Sequence, residues 1–394
     1  MTNGLTAEGT AALDATLARH VADGEVPGLV ALVARGEDVH VSAIGHKALG
    51  DPEPIGRDAI FRIASLTKPI AGVAAMLLIQ DGAMALGDPV ARWLPELAEP
   101  RVLRTLESGL DDTVPARRPI TVEDVLSFHL GFGSIMTQEP YPVMAAEDKL
   151  GLKTLGPPWP PPDLTPDEWI AAFASLPLLD QPGENWRYNT SATVAGVLIE
   201  RVAGMPLADV LAQRIFGPLG MADTGFYVPE GKLARFTTFY VPNGPGGSLR
   251  VIDEPRGWYS APPRLPDASG WLVSTVDDLY KFTEMLAHDG DGLLSARAVR
   301  EMTRDRMTAQ ERAASQIFLG DHSGWGLMMC VPAADGTAGI PGGYGWEGGS
   351  GTTWRTDPAT GLTGILLTQR QATSPAPTAL VTDFWTRAYA AIGG

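Results

Sequence analysis

Residues 66–80 constrain the fold more strongly than any other part of the sequence. They are apolar on nearly every face of a helix, and Asp81 and Gly82 follow directly. A helix without a polar face has to be covered by protein on all sides. The segment therefore predicts a central buried helix. The chain of 394 residues is long enough to surround it with one large domain or two intimate ones.

The rest of the chain predicts strands near both ends and helices between them. Residues 28–34 and 38–44 are rich in β-forming residues and flank a short turn, which predicts a hairpin. Further strands are predicted over residues 324–331, 344–354 and 361–369. Helical spacing predicts helices over residues 8–23, 192–203, 206–215 and 380–389.

This order of elements predicts an α/β (α+β) fold in two parts. Residues 1–64 and 266–394 form the predicted sheet domain, and residues 65–265 form a mostly helical domain inserted into it. Two proline-rich segments, 156–162 and 254–270, are predicted loops. Such loops are either purely structural or form the rim of a pocket.

The first chemical signal is Ser65-x-x-Lys68 at the start of the central helix. Residues three apart share a helix face, with Cβ atoms about 5–6 Å apart. A serine hydroxyl needs a base to become a good nucleophile, and burial lowers the pKa of a lysine, so Lys68 can be that base. Pro69 fits only a first helical turn, where free N–H groups can stabilise an oxyanion. The alternative is a capping serine beside a surface lysine.

Two further motifs can contribute to the same site. Tyr188 stands at a predicted loop-to-helix junction, where it can supply a phenol or a phenolate. Residues 342–354 are rich in glycine, and 343–348 match G-x-G-x-x-G. No helix follows that match, which argues against a dinucleotide site. Glycines in a strand allow a ligand to approach the backbone, so this strand is a candidate wall of an oxyanion hole.

Together the three motifs resemble the serine β-lactamase and penicillin-binding protein superfamily, nearest to class C enzymes and family VIII carboxylesterases. Supporting similarity lies in residues 86–95, 215–226 and 270–275. The resemblance implies a β-lactamase-like fold. In that fold a mixed antiparallel sheet is flanked by helices, a mostly helical domain is inserted, and the active site lies at the interface.

The resemblance also implies roles for individual residues. Ser65 would be the acylated nucleophile, and Lys68 and Tyr188 would form the base system, with the proton acceptor left open between them. The backbone N–H groups of Ser65 and Gly349 would form the oxyanion hole. The substrate would lie along Trp346, Glu347 and Gly348.

The sequence departs from the family pattern in three places. The tyrosine motif is usually Tyr-x-Asn, but here Asn189 comes one position early and Thr190 takes the third place. The usual Lys-Thr-Gly is replaced by Trp346, Glu347 and Gly348, which removes a cation and adds a negative charge. His129 lies where the family has a His-Thr-Ser-Gly run, and we interpret it as structural.

These departures favour a carboxylesterase that cleaves short neutral esters through an acyl-enzyme on Ser65. One alternative is an amide hydrolase like a β-lactamase or a D-Ala-D-Ala carboxypeptidase. The other is a non-catalytic β-lactamase-like binding module, although such a module would be expected to have lost Ser65, Lys68 or Tyr188. A small-molecule ester is the expected partner, and the oligomeric state is left open.

Charge and composition exclude several other classes. The formal net charge of −16 disfavours nucleic acids and anionic membranes as partners. Cys330 is the single cysteine, and the six histidines form neither His-x-His nor HExxH, so no metal or other cofactor is expected. The N-terminus lacks the features of a signal peptide, and no apolar run reaches the ~20 residues of a membrane-spanning helix, so we expect a cytoplasmic protein.

Overall fold

The structure is a computed structural model that describes residues 4–135, 139–153, 160–244, 247–334 and 339–392. The strands are β1 (Gly28–Arg35), β2 (Asp38–Gly45), β3 (Phe61–Arg62), β4 (Arg101–Leu103), β5 (Thr113–Pro115), β6 (Phe239–Pro242), β7 (Leu249–Asp253), β8 (Val273–Ser274), β9 (Ser323–Trp325), β10 (Cys330–Pro332), β11 (Tyr344–Gly348), β12 (Thr352–Asp357) and β13 (Leu362–Thr368). The helices are α1 (Ala7–Ala22), α2 (Thr67–Gln80), α3 (Val122–Leu126), α4 (Pro142–Lys149), α5 (Pro166–Ala174), α6 (Thr190–Ala203), α7 (Leu207–Leu211), α8 (Gly217–Leu219), α9 (Val276–Ala287), α10 (Ala296–Met302), α11 (Ala309–Ala314), α12 (Gln316–Leu319) and α13 (Ala379–Ala391).

One large antiparallel sheet joins the two ends of the chain. Its strand order is β2-β1-β13-β12-β11-β10-β9. The N-terminal hairpin β1–β2 therefore pairs with the last strand, with Leu32 opposite Ile365. Each neighbouring pair of strands in this order is antiparallel, which confirms the predicted antiparallel sheet built from both termini.

Both faces of the central strands are covered. Leu29, Ala31 and Val33 of β1 belong to a core that they form with α1 and α13 on one face of the sheet. The alternate residues, Val30 and Leu32, belong to the larger core on the other face. Because side chains alternate along a strand, burial on both faces explains why β1 reads as a continuous apolar run.

The predicted central helix is confirmed as α2. Every residue of α2 except the last two is buried, including Thr67 and Lys68 at its start. Its surroundings include α6, α7 and α10. A polar residue buried at the first turn of such a helix needs partners from other elements, and Lys68 has them in the site described below.

Two predicted strands prove to be pairs of strands. Residues 324–331 divide into β9 and β10, which pair with each other on either side of a turn in which Met328 has φ 63°. Residues 344–354 divide into β11 and β12, joined by a turn that contains Gly351 at φ 73°. The sequence interpretation was wrong here because the glycines that it assigned to a strand interior form a tight turn.

The division into two domains, 1–64 with 266–394 and 65–265, stays a prediction. Within the described ranges, no helix is both long enough and apolar enough to cross a membrane.

Candidate active site

Ser65 lies in a short 3₁₀ turn, Ala64–Leu66, that connects β3 to α2. The preceding residue, Ala64, has φ 45°, in the left-handed region that residues other than glycine seldom occupy. Such strained positions cluster at active sites, where the surrounding structure holds them in place. The turn leaves Ser65 partly exposed at the N-terminal end of an otherwise buried helix.

Lys68 is fully buried beside Ser65. Its Nζ donates to Ser65 Oγ at 2.8 Å and also to the main-chain carbonyl of Ser269. Burial lowers the pKa of Lys68 to about 7, against an opposing effect of the Asp267 carboxylate. A large fraction of Lys68 is therefore a neutral amine near neutral pH, able to accept the Ser65 proton.

Tyr188 completes the contacts of the Ser65 hydroxyl. Its Oη donates to Ser65 Oγ at 2.9 Å and accepts from Trp346 Nε1 at 2.8 Å. Burial raises the pKa of Tyr188 above its usual range, and the negative charge of Glu347 adds to that effect. Tyr188 is thus a neutral phenol that can donate a proton.

A group of aromatic rings packs around Tyr188. Ring centroids lie 4.8 Å from Tyr188 for Phe318, 5.9 Å for Trp186 and 6.0 Å for Phe128. These residues are far apart in the sequence, and the sequence analysis did not identify them. The packing fixes the Tyr188 ring and accounts for its burial.

The glycine-bearing strand β11 lies against the turn that carries Ser65. A Cβ atom on Gly348 would come within 2.6 Å of the carbonyl oxygen of Ile63, so only glycine permits this approach. Ser350 Oγ donates to the carbonyl of Arg62 at 2.6 Å and holds the two segments together. The space beside Gly349 is open, which leaves room for a substrate. The assignment of the Ser65 and Gly349 N–H groups to an oxyanion hole stays a prediction.

The structure gives Trp346 and Glu347 additional contacts. Trp346 is only 3% exposed; it lines the cavity, and its indole N–H holds Tyr188. Glu347 forms an ion pair with Arg355 of β12, with distances from Nη2 of 2.8 Å to Oε1 and 3.0 Å to Oε2. The negative charge that the sequence analysis assigned to Glu347 is therefore compensated.

Asp267 and Ser269 are site residues that the sequence analysis missed. The Asp267 carboxylate accepts from Ser269 N at 2.9 Å and from Ser269 Oγ at 2.6 Å. Both residues are at most 2% exposed. The only sequence signal was their position in the proline-rich loop 254–270, for which a pocket rim was one of two interpretations.

A cavity of about 560 Å³ opens in front of Ser65. Besides the residues described above, its wall includes Phe239 and Val241 of β6, Tyr259 of the loop 254–270 and the segment 371–378 before α13. The lining is mainly apolar with a few polar groups, as is typical of sites for small molecules. Residues 154–159, which include most of the other predicted loop, lie outside the described residues.

His129 contributes to the structure at another place. Its ring nitrogens lie 2.9 Å from Ser127 Oγ and 2.9 Å from Glu311 Oε1, and the ring is buried. These contacts connect the segment after α3 to α11, in agreement with the structural interpretation. In the part of the chain that the structure describes, no cluster of histidine, cysteine or acidic residues is arranged to bind a metal ion.

Comparisons with known proteins agree with this geometry. Protein Rv1367c of Mycobacterium tuberculosis is 37% identical over 367 residues, which cover 89% of this chain and 88% of the relative. Esterase EstB of Burkholderia gladioli is 30% identical over 381 residues, covering 91% and 90%. The solved structure of EstCE1, described as a hydrolase with promiscuous acyltransferase activity, superimposes with a TM-score of 0.81 at 24% identity and covers 97% of this chain and 99% of that one.

A family model gives the same result for nearly the whole length of the sequence. The model described as Beta-lactamase matches residues 13–382, which include the Ser65, Tyr188 and Trp346 motifs. The chain belongs to the Beta-lactamase family.

Proposed function

We propose that this protein is a serine carboxylesterase that cleaves neutral esters through an acyl-enzyme on Ser65. The observation that carries the proposal is the position of the Ser65 hydroxyl between a group that can accept a proton and a group that can donate one. Ser65 Oγ lies 2.8 Å from the amine of Lys68, whose pKa is near neutral, and 2.9 Å from the neutral phenol of Tyr188. Relatives with esterase activity, such as EstB, support the same reaction class.

In this proposal Lys68 is the base and Tyr188 is the acid, which the lowered pKa of Lys68 and the raised pKa of Tyr188 support. As Ser65 Oγ bonds to the ester carbonyl carbon, its proton passes to the Lys68 amine. The tetrahedral intermediate then expels the alcohol, which takes the Tyr188 proton as the carbon–oxygen bond breaks. The Lys68 ammonium then returns a proton to the Tyr188 phenolate and becomes neutral again.

Hydrolysis of the acyl-enzyme repeats these steps with water in place of Ser65. Lys68 takes a proton from the attacking water, and Tyr188 gives its proton to Ser65 Oγ as the acyl–Ser65 bond breaks. The Lys68 ammonium then returns a proton to Tyr188. The net reaction consumes one ester and one water and gives one acid and one alcohol. It needs neither a metal nor an organic cofactor.

The preference for neutral substrates follows from the strand motif. Relatives that bind substrate carboxylates use a lysine where this chain has Trp346, and a charge-assisted hydrogen bond is strong in a partly dry cleft. Here Trp346 is neutral and Arg355 is already paired with Glu347. An anionic substrate would lose its hydration without gaining a cation, whereas a neutral ester would not. The cavity of about 560 Å³ admits acyl groups larger than acetyl, so chain length is left to experiment.

The test is a panel of p-nitrophenyl esters of increasing acyl length, matching anilides and the cephalosporin nitrocefin, run with wild type and Ser65→Ala. We expect ester turnover, little or no anilide or nitrocefin turnover, and no activity in Ser65→Ala. An organophosphonate should add one mass increment to the wild type and none to Ser65→Ala. Full ester turnover by Ser65→Ala would overturn the proposal, and efficient nitrocefin turnover by the wild type would favour a β-lactamase. Action in the cytoplasm remains part of the proposal.

A further inference from the structure

The ammonium form of Lys68 has no direct ion pair. Lys68 is 0% exposed, and a buried ammonium without a compensating charge is costly. Within the described residues, no carboxylate lies in ion-pair contact with Nζ. Its second hydrogen bond, to the Ser269 carbonyl, leads instead to the segment that carries Asp267.

The Asp267 carboxylate accepts hydrogen bonds from two parts of the chain. Its two oxygens accept from the N–H and the hydroxyl of Ser269 at 2.9 and 2.6 Å. Thr193, on the first turn of α6, also donates to it. Tyr188 lies two positions before the first residue of that helix. Asp267 is only 1% exposed, so its carboxylate is held in place by these donors rather than by water.

We propose that Asp267 is the positioning residue of the site. It fixes the Ser269 carbonyl that holds Lys68, and through this link it supplies the negative charge that the Lys68 ammonium requires. Asp267 acts on Lys68 indirectly, because Ser269 lies between them. A direct ion pair would favour the ammonium strongly and would leave Lys68 without the ability to accept a proton. The interposed Ser269 keeps the charge near enough to stabilise the ammonium once it has formed. The inference rests on the proposed role of Lys68 as the base.

The other ionisable groups around this pair do not supply a free charge. Tyr188 presents its neutral ring to Lys68. Tyr259, buried and with a raised pKa, faces Asp267. Beyond Tyr259 lie Arg62 and Asp253, which form a buried ion pair with each other. Asp267 is thus the described group whose charge acts on Lys68. Burial raises the pKa of Asp267, and the hydrogen bonds from Ser269 and Thr193 together with the charge of Lys68 oppose that effect.

The experiment compares the pH dependence of kcat/KM in wild type, Asp267→Asn and Asp278→Asn. Asp278 is a matched control, because it is also a buried aspartate, 3% exposed, but its carboxylate lies on the first turn of α9 and accepts from Asp223 N and Thr224 Oγ1, away from Ser65 and Lys68. In each variant asparagine keeps the shape of the aspartate side chain and removes its negative charge. We expect the acidic limb in Asp267→Asn to move to lower pH by roughly one unit or more, since the charge that opposes deprotonation of Lys68 is gone. Asp278→Asn should keep the wild-type limb.

A second variant tests the positioning part separately and remains informative if Asp267→Asn does not fold. Ser269→Ala keeps the main-chain carbonyl and the Asp267 charge but removes one of the two bonds between them. We expect kcat to fall roughly tenfold, the effect of about 1.4 kcal/mol, with the acidic limb nearly unchanged. An acidic limb in Asp267→Asn that coincides with wild type would overturn the charge role, and a wild-type kcat in Ser269→Ala would overturn the positioning role. Failure of the esterase proposal itself is recognised separately, by activity in Ser65→Ala.

Discussion

Replacing Trp346 by phenylalanine would remove one hydrogen bond from the site and leave an aromatic ring in place. The Trp346 indole N–H donates to Tyr188 Oη at 2.8 Å. In the proposed mechanism Tyr188 gives its proton to the leaving alcohol, and negative charge develops on that oxygen. Hydrogen bonds to charged groups are worth about 1.5–3 kcal/mol. We therefore expect Trp346→Phe to lower kcat roughly 10- to 100-fold.

Trp325 provides the matched control for this variant. It lies on β9, is 0% exposed, and its ring centroid is 4.7 Å from that of Trp346. Its indole N–H has no hydrogen-bond partner in the described part of the chain. Trp325→Phe removes the same atoms from the same aromatic group, so the packing loss is similar and no hydrogen bond is broken.

The assay is the pre-steady-state burst of p-nitrophenol from acetate and butyrate esters, together with thermal unfolding of both variants. We expect similar decreases in Tm for the two variants and a much slower burst only in Trp346→Phe, by the same factor for both esters. An acyl-dependent factor would indicate that Trp346 acts as a wall of the cavity instead. Equal burst rates in Trp346→Phe and Trp325→Phe would refute the role of the hydrogen bond.

Three further predictions follow from the same geometry. Because Lys68 has to be neutral and its pKa is about 7, kcat/KM in the wild type should rise with pH through about 7 and then level off; a profile that falls over that range would contradict the base assignment. Lys68→Ala and Tyr188→Phe should each lower kcat by roughly 10²–10⁴, and the double variant should be little worse than the poorer single one, whereas multiplicative losses would show independent action. Trp346→Lys with Glu347→Thr should raise the ratio of nitrocefin to p-nitrophenyl acetate turnover, and an unchanged ratio would show that the missing cation does not decide substrate class.

Sequence patterns were sufficient where a feature depends on neighbours along the chain. The apolar run of α2, the β1–β2 hairpin and the spacing of Ser65 and Lys68 are local, and the structure has each of them. The family and the fold were also predicted correctly, because their motifs keep a fixed order along the chain. The glycine-rich run before Thr352 was interpreted wrongly, since composition does not distinguish a strand that tolerates glycine from a turn that needs it.

Features that depend on which elements come together were not predictable from the sequence. The link from Asp267 through Ser269 to Lys68 joins a loop to a helix about 200 positions earlier in the chain, and nothing local to either segment indicates it. The pairing of Glu347 with Arg355 depends on the register of β11 and β12, which sets Gly345 rather than Glu347 opposite Arg355. A side chain that is charged in the sequence, such as Glu347, therefore need not present that charge to a substrate.

The compensated charge of Glu347 changes how the strand motif is understood. From the sequence, Trp346 and Glu347 together make the site repel anions. In the structure, Arg355 neutralises Glu347, and Trp346 uses its one polar atom on Tyr188. The expected exclusion of anionic substrates then rests on the pairing of the described arginines near the site, Arg62 with Asp253 and Arg355 with Glu347, rather than on repulsion. Glu347→Gln alone should accordingly do little to admit a carboxylate by removing repulsion, although it removes the charge partner of the buried Arg355 guanidinium. Measured nitrocefin turnover in that single variant separates the two explanations: a gain would identify the released Arg355 as an effective anion partner, and no gain would show that a cation is needed at position 346 itself.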